Sequence, residues 1–285
     1  MAGPDPSDAA GEKRSLSNLT LRVLAALVLA PLAIGIAYLG GVYWLALALL
    51  AAIGLYSEWL NVTGTLHARI TLIAGLIVLL AMAVLLYLSR AEWALGLLCV
   101  GVLLIALLAP SDKRLWCASG MAYAGLPLIA CVLIRGAGQD GATGLAALMF
   151  VFVVVWASDI FGYFVGRAIG GPKLWERVSP KKTWAGAIGG LAGSVAGGMA
   201  FGFLGYQALA LGALAGVLAI VSQAGDLVES AVKRRFGVKD SSHIIPGHGG
   251  VMDRLDGFVF AVTLAAMIGV ARAGFAHVPQ GAMWW

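Results

Sequence analysis

Residues 222–257 read SQAGDLVESAVKRRFGVKDSSHIIPGHGGVMDRLDG, a short stretch that concentrates acids and bases. Asp226, Glu229, Ser230 and Lys233 fall at i, i+3, i+4 and i+7, so a helix there presents two carboxylates, a hydroxyl and an ammonium on one face. Asp253 and Asp256 form a second pair, one helical turn apart. Hard divalent cations such as Mg²⁺ take one or two carboxylates per ion, with substrate phosphates and water completing the shell. Two acidic pairs flanked by Lys and Arg meet that demand. Between them, Pro246, Gly247, His248, Gly249 and Gly250 break any helix and let the backbone turn back or approach a ligand closely. A zinc site is a poor reading, since His243 and His248 have neither nearby cysteines nor HxxxH spacing. Taken alone, the run also fits a solvated helix end with a Glu229–Lys233 pair.

A second cluster lies upstream. Asp159 sits deep in the apolar run VFVVVWASDIFGYFVGR, and an ionisable residue inside a span is costly enough to suggest function. Tyr163, Gly166 and Arg167 follow on the same helical face, so an Asp159–Tyr163 hydrogen bond is the plain structural alternative. Then Ser179, Pro180, Lys181, Lys182 and Thr183 form a compact set of ammonium and hydroxyl donors suited to phosphate oxygens. The same segment fits a basic membrane anchor, with Thr183 as a helix N-cap. Carboxylates for metal beside bases for phosphate are the ingredients of phosphoryl or nucleotidyl transfer. Lipid-facing helices around such a site imply one lipid substrate and one that arrives from water.

The elements that must position these residues are membrane helices. Of the 285 residues, 61% are hydrophobic and only 12% charged, with a mean hydropathy of +0.93, which excludes an ordinary soluble domain. Apolar windows predict nine spans: 19–39, 42–60, 69–88, 92–110, 115–134, 143–166, 184–204, 207–225 and 257–274. They are apolar on every side, unlike barrel strands, so the expected fold is all-α and polytopic. With a cytoplasmic N-terminus, all of the 19 Lys and Arg except Arg90, Arg135 and Arg272 fall inside, as the positive-inside rule asks. The net charge of +5 therefore reports topology, and no nucleic-acid partner is expected. Residues 1–18 read as a disordered cytoplasmic tail with no cleaved signal. N-terminal spans fill 19–142, and a catalytic region fills 143–285, with site loops 167–183 and 226–256. Gly186, Gly189, Gly190, Gly193, Gly197, Gly198 and Gly202 read as a helix-packing face. Cys99, Cys117 and Cys131 read as small apolar residues.

The chain resembles the phosphatidate cytidylyltransferases, also called CDP-diacylglycerol synthases. That family's C-terminal signature is matched by Ser230, Lys233, Arg234, Lys239, Asp240, Pro246 to Gly250, Asp253, Arg254 and Asp256. The upstream Asp159, Tyr163, Gly166 and SPKKT segments resemble it as well, while the N-terminal spans match in hydropathy alone. Many members carry Glu where this chain has Ala185, so no role of that Glu transfers here. The resemblance implies that CTP and phosphatidic acid give CDP-diacylglycerol and pyrophosphate, with Mg²⁺ required and a monovalent cation such as K⁺ sharing the site. It implies metal binding by Asp226, Asp253, Asp256 and Asp159, and phosphate or nucleotide binding by Lys181, Lys182, Ser179, Thr183, Arg234, Gly249 and Gly250. Catalytic roles then fall to Asp226, Asp253, Lys233, Lys239, Arg254 and His248. It also implies a homodimer among membrane lipids, in a bacterial inner membrane with the site facing the cytoplasm. A CTP-dependent lipid kinase and, more distantly, a transporter are the rival readings; a transporter would place its polar residues at the midplane of broken helices.

Overall fold

The computed structural model describes residues 28–136, 141–242, 244 and 249–285. The expected tail, the start of the first span, and the His243 and Pro246–His248 part of the signature lie outside the described residues. Ten α-helices follow in chain order: α1 (Val28–Leu39 as described), α2 (Gly41–Val62), α3 (Arg69–Tyr87), α4 (Ala91–Leu108), α5 (Arg114–Arg135), α6 (Gly141–Ile169), α7 (Trp184–Met199), α8 (Ala208–Arg235), α9 (Met252–Ala273) and the short α10 (Val278–Met283). Among the described residues, eight apolar helices are long enough to cross a bilayer, counting α7 with the 3₁₀ turn Ala200–Leu204 that extends it. The protein is thus an all-α integral membrane protein, as its apolar windows dictate.

Two ends differ from the expected spans, and both differences matter for the site. α8 is 28 residues long, where about 20 suffice to cross, and the surplus carries Asp226 to Arg235 to one end of the bundle. α9 begins at Met252, so Asp253 and Asp256 lie within its first turns. The segment expected to be a loop before α7 forms a small antiparallel hairpin, β1 (Lys173–Trp175) with β2 (Ser179–Thr183), pairing Lys173 with Thr183 and Trp175 with Ser179. Thr183 ends the hairpin and caps α7, its hydroxyl accepting from the Gly186 amide at 3.1 Å.

Close packing sets the positions of α6, α7 and α8. A Cβ on Gly186 would lie 2.7 Å from the Gly162 carbonyl, one on Gly190 2.6 Å from the Ser158 carbonyl, and one on Gly198 2.4 Å from the Ala215 Cβ. The glycine face of α7 therefore lies directly on α6 and α8, as small-residue packing in membranes requires. In the N-terminal half, indole N–H groups tie α2 to α5: Trp44 donates to the Cys131 carbonyl at 2.9 Å, and Trp59 to the Trp116 carbonyl at 2.8 Å. At the opposite end of the bundle, buried Arg135 donates to the carbonyls of Ala37 (2.6 Å), Tyr38 (3.2 Å) and Gly141 (3.3 Å), locking the ends of α1, α5 and α6 together.

Candidate active site

The C-terminal end of α8 and the first turns of α9 meet at the end of the bundle away from Arg135. Asp253, in the first turn of α9, is held on every side. Its Oδ2 accepts from the Gly250 amide (2.8 Å), the Ser241 amide (2.9 Å) and the Ser241 hydroxyl (3.0 Å), and its Oδ1 takes the Lys233 ammonium at 2.6 Å. Lys233 also lies 2.8 Å from Oε2 of Glu229, which is fully buried. One ammonium thus bridges two carboxylates, an arrangement that costs about 3–5 kcal/mol to break from one side once buried.

A third carboxylate comes from an unexpected place. Glu58 of α2 is 2% exposed and accepts four hydrogen bonds: the Ser242 hydroxyl (2.7 Å) and Val251 amide (2.9 Å) on Oε1, the Ser241 hydroxyl (2.8 Å) and Met252 amide (2.8 Å) on Oε2. Asn61, one turn further on, donates to the Ser241 carbonyl at 3.2 Å. An N-terminal span therefore clamps the segment joining α8 to α9. Gly250 has to be glycine there, because a Cβ would lie 2.1 Å from the Ser241 hydroxyl and 2.3 Å from Oε2 of Glu58. Gly249 has φ +82°, and a Cβ on it would lie 2.6 Å from Oδ2 of Asp253.

Next to this clamp opens a cavity of about 370 Å³ between α6, the hairpin, α7 and α8. Asp159, Tyr163, Arg167, Lys181, Lys182 and Gln223 line it. Lys182 forms an ion pair with Asp226, and Ser230 Oγ lies 3.4 Å from the other Asp226 oxygen. Asp256 accepts from the Gly257 amide at 2.7 Å. Asp226, Asp159 and Asp256 interact electrostatically with one another, and Lys182 with both Asp159 and Asp256. Three carboxylates thus lie within electrostatic reach of Lys182, Asp226 in direct contact with it. Among the described residues no group of three or more His, Cys, Asp or Glu is placed to hold a metal ion by itself. Gln223 fixes the cavity floor, donating to Ser158 Oγ and to the Ala187 carbonyl, each at 3.1 Å. Tyr163 takes its hydrogen bond from Arg167 at 2.8 Å, so the plain Asp159–Tyr163 pair is not what forms.

The residues singled out in the sequence fall into three groups. Asp159, Lys181, Lys182 and Thr183 line the cavity, Asp226 and Asp256 stand behind its lining within electrostatic reach of Asp159, and Lys233, Asp253, Gly249 and Gly250 form the adjoining clamp. Arg234, Lys239 and Arg254 are exposed at the same end; Arg234 donates to the Val238 carbonyl at 3.2 Å and Arg254 interacts electrostatically with Asp159. Ser179 stands in β2, half-buried, and His248 lies outside the described residues. Glu58, Gln223 and Ser158 were missed. Glu58 carried the signal that singled out Asp159, an acid within an apolar span.

Comparison with known proteins adds an independent line. The sequence profile of the cytidylyltransferase family matches residues 20–271. The chain is 40% identical over 266 residues to the phosphatidate cytidylyltransferase of Brucella abortus (strain 2308), covering 90% of this chain and 96% of that one. It is 32% identical over 261 residues to the phosphatidate cytidylyltransferase of Staphylococcus epidermidis (strain ATCC 12228 / FDA PCI 1200), covering 86% and 97%. The enzyme of that name from Staphylococcus haemolyticus (strain JCSC1435) is 32% identical over 263 residues.

Proposed function

The chain belongs to the cytidylyltransferase family, and from that premise we propose that it is a phosphatidate cytidylyltransferase, transferring CMP from CTP to phosphatidate with release of pyrophosphate. The observation that carries the reading is the cavity at one end of the membrane bundle, lined by Asp159, Lys181 and Lys182, with Asp226 paired to Lys182 and Asp256 within electrostatic reach. The lipid phosphate oxygen attacks the α-phosphorus of CTP and the bond to pyrophosphate breaks. That oxygen is already an anion, so no general base is needed. Catalysis reduces to aligning the two substrates and neutralising crowded negative charge.

Mg²⁺ would be held by Asp226 and Asp256 with Asp159, and it would supply charge neutralisation at the phosphates. Lys181 and Lys182 bind phosphate oxygens, Lys182 exchanging its Asp226 partner for the nucleotide. Asp253 has Oδ1 to offer the metal once Lys233 turns to a phosphate; until then it orders the Gly249–Gly250 turn. Arg254, Lys239 and Arg234 add positive potential at the cavity mouth. Ser179 and Gly249 would add donors to the nucleotide phosphates, and K⁺ would share the acidic cluster. The charge asymmetry of the loops supports a cytoplasmic site in the bacterial inner membrane, and a homodimer is part of the same reading.

The test is purified protein given phosphatidate and diacylglycerol, Mg²⁺, and CTP labelled at either the α- or the γ-phosphorus. Label is expected in the lipid from the α position only. Lipid labelled from the γ position would establish a CTP-dependent lipid kinase instead.

A further inference from the structure

We propose that Arg167, held over the cavity by Tyr163, binds the phosphate of the phosphatidate substrate at the outer end of the cavity and selects that lipid by its headgroup. This rests on the phosphatidate reading above. Arg167 and Tyr163 both line the cavity, and the guanidinium donates to the Tyr163 hydroxyl at 2.8 Å. Arg167 follows Asp159 by eight residues on α6, roughly 12 Å along the helix. Its side chain leans back over the preceding turn, as helical side chains do, and Tyr163, one turn closer to Asp159, fixes it there.

An arginine at the end of a membrane helix can be a topology anchor and nothing more. Two observations set Arg167 apart. First, it brings an uncompensated charge to the cavity. The three ion pairs among the described residues join Lys182 to Asp226, and Lys233 to Glu229 and Asp253. The cations that interact with Asp159 are Lys182 and Arg254. Among the described residues Arg167 has the Tyr163 oxygen as its one hydrogen-bond partner, which takes a single N–H and leaves an edge of the planar fork for a phosphate.

Second, the cavity wall borders a surface suited to lipid. The lining residues Tyr163, Leu174, Thr183 and Ala187 are followed in the chain by Phe164, Trp175, Trp184 and Ile188, each large and exposed. Exposed Trp and Tyr at the end of a span belong at the level of the lipid headgroups. A phosphate brought there by its own tails meets Arg167, whereas a triphosphate arriving from water has no need of such a rim. Phosphatidate also differs from bulk phospholipids in the group presented. Its monoester phosphate offers three acceptor oxygens and about two negative charges, against two such oxygens and one charge in a diester. A planar, always-charged guanidinium is the side chain that rewards this difference.

The experiment uses the full-length protein in phosphatidylcholine nanodiscs, with empty nanodiscs as the blank. Binding of dihexanoyl phosphatidate is measured by calorimetry without CTP, and KM is measured for each substrate. Arg167→Gln should weaken that binding and raise KM for phosphatidate about tenfold or more, the scale of one charge-assisted contact, with KM for CTP within about twofold. Its preference for dihexanoyl phosphatidate over dihexanoyl phosphatidylglycerol should fall with it. Arg167→Lys keeps the charge but loses the planar fork, so it should recover only part of the loss. Tyr163→Phe frees the guanidinium and should raise KM for phosphatidate about threefold, again without moving KM for CTP. Unchanged binding and KM for phosphatidate in Arg167→Gln would make the residue a topology anchor and overturn the proposal. A rise that falls on CTP alone, or equally on both substrates, would overturn it too. Should Arg167→Gln fail to insert, Arg167→Lys and Tyr163→Phe decide, and phosphatidate affinity unchanged in both counts against the proposal. If the unmodified protein forms no CDP-diacylglycerol, it is the reading of the function that fails, and the binding titration still judges Arg167.

Discussion

Glu58→Gln tests whether a residue of the N-terminal half organises the reaction site. The change keeps size and shape but turns one carboxylate oxygen into an NH₂ group. Whichever way the amide lies, that group meets one serine hydroxyl and one backbone N–H: Ser242 and Val251, or Ser241 and Met252. The hydroxyl can rotate to accept; the backbone N–H cannot. An orphaned buried N–H costs about 1–3 kcal/mol, and the two surviving bonds each lose about 1 kcal/mol of charge assistance. Removing a buried charge offsets part of this, leaving about 2 kcal/mol against the ordered 241–252 segment. At 1.4 kcal/mol per factor of ten, the ordered population relative to the open one falls roughly 30-fold. With the ordered form predominant, amide exchange at Val251 and Met252 should accelerate roughly 30-fold, with normal membrane insertion. At saturating CTP and phosphatidate, kcat should fall only as far as the open fraction rises, by much less than that factor. Unchanged protection of those two amides would refute the clamp.

Three other outcomes follow from the same geometry. Asp226→Asn and Asp256→Asn should each lose roughly 10²-fold or more in activity while still inserting, the scale of one preorganised electrostatic contact; added Mg²⁺ should recover part of the loss, and turnover in both variants with an unaltered Mg²⁺ dependence would place the metal elsewhere. Gly250→Ala drives a Cβ to 2.1 Å from the Ser241 hydroxyl and should cost about 1–3 kcal/mol locally, seen as faster exchange across 241–252; Gly96→Ala, whose Cβ meets nothing within 4 Å, should leave exchange there unchanged. Asp240→Cys, exposed at the site end, should resist an impermeant thiol reagent in intact cells and react after lysis, whereas labelling in intact cells would put the site on the other side of the membrane.

The architecture was legible in the chain because a bilayer leaves little choice. Uniformly apolar windows of about 20 residues must be helices. The acids at i, i+3 spacing were legible too, since helical period alone places Asp226 with Glu229 and Asp253 with Asp256 on shared faces. Sequence spacing could not say that those pairs would be divided between two settings. Asp226 and Asp256 interact with Asp159 beside the cavity, whereas Asp253 and Glu229 share Lys233 beside Glu58. That division depends on how α6, α8 and α9 cross: the glycine face of α7 sets α6 and α8, and Gly225 against Phe260 and Gly257 against Ser222 set α8 on α9. Glu58 lies 183 positions from Ser241, and their hydrogen bond exists because α2 packs on α5. The SPKKT segment shows the same limit on a smaller scale. Its donors were readable as phosphate ligands, but its strand conformation comes from pairing with Lys173–Trp175, and Lys182 finds Asp226 only when α7 and α8 lie side by side. Local composition determined which groups could do chemistry and at which end of the bundle. Tertiary packing decided which of them meet, because long-range contacts between helices carry no local period from which to read them.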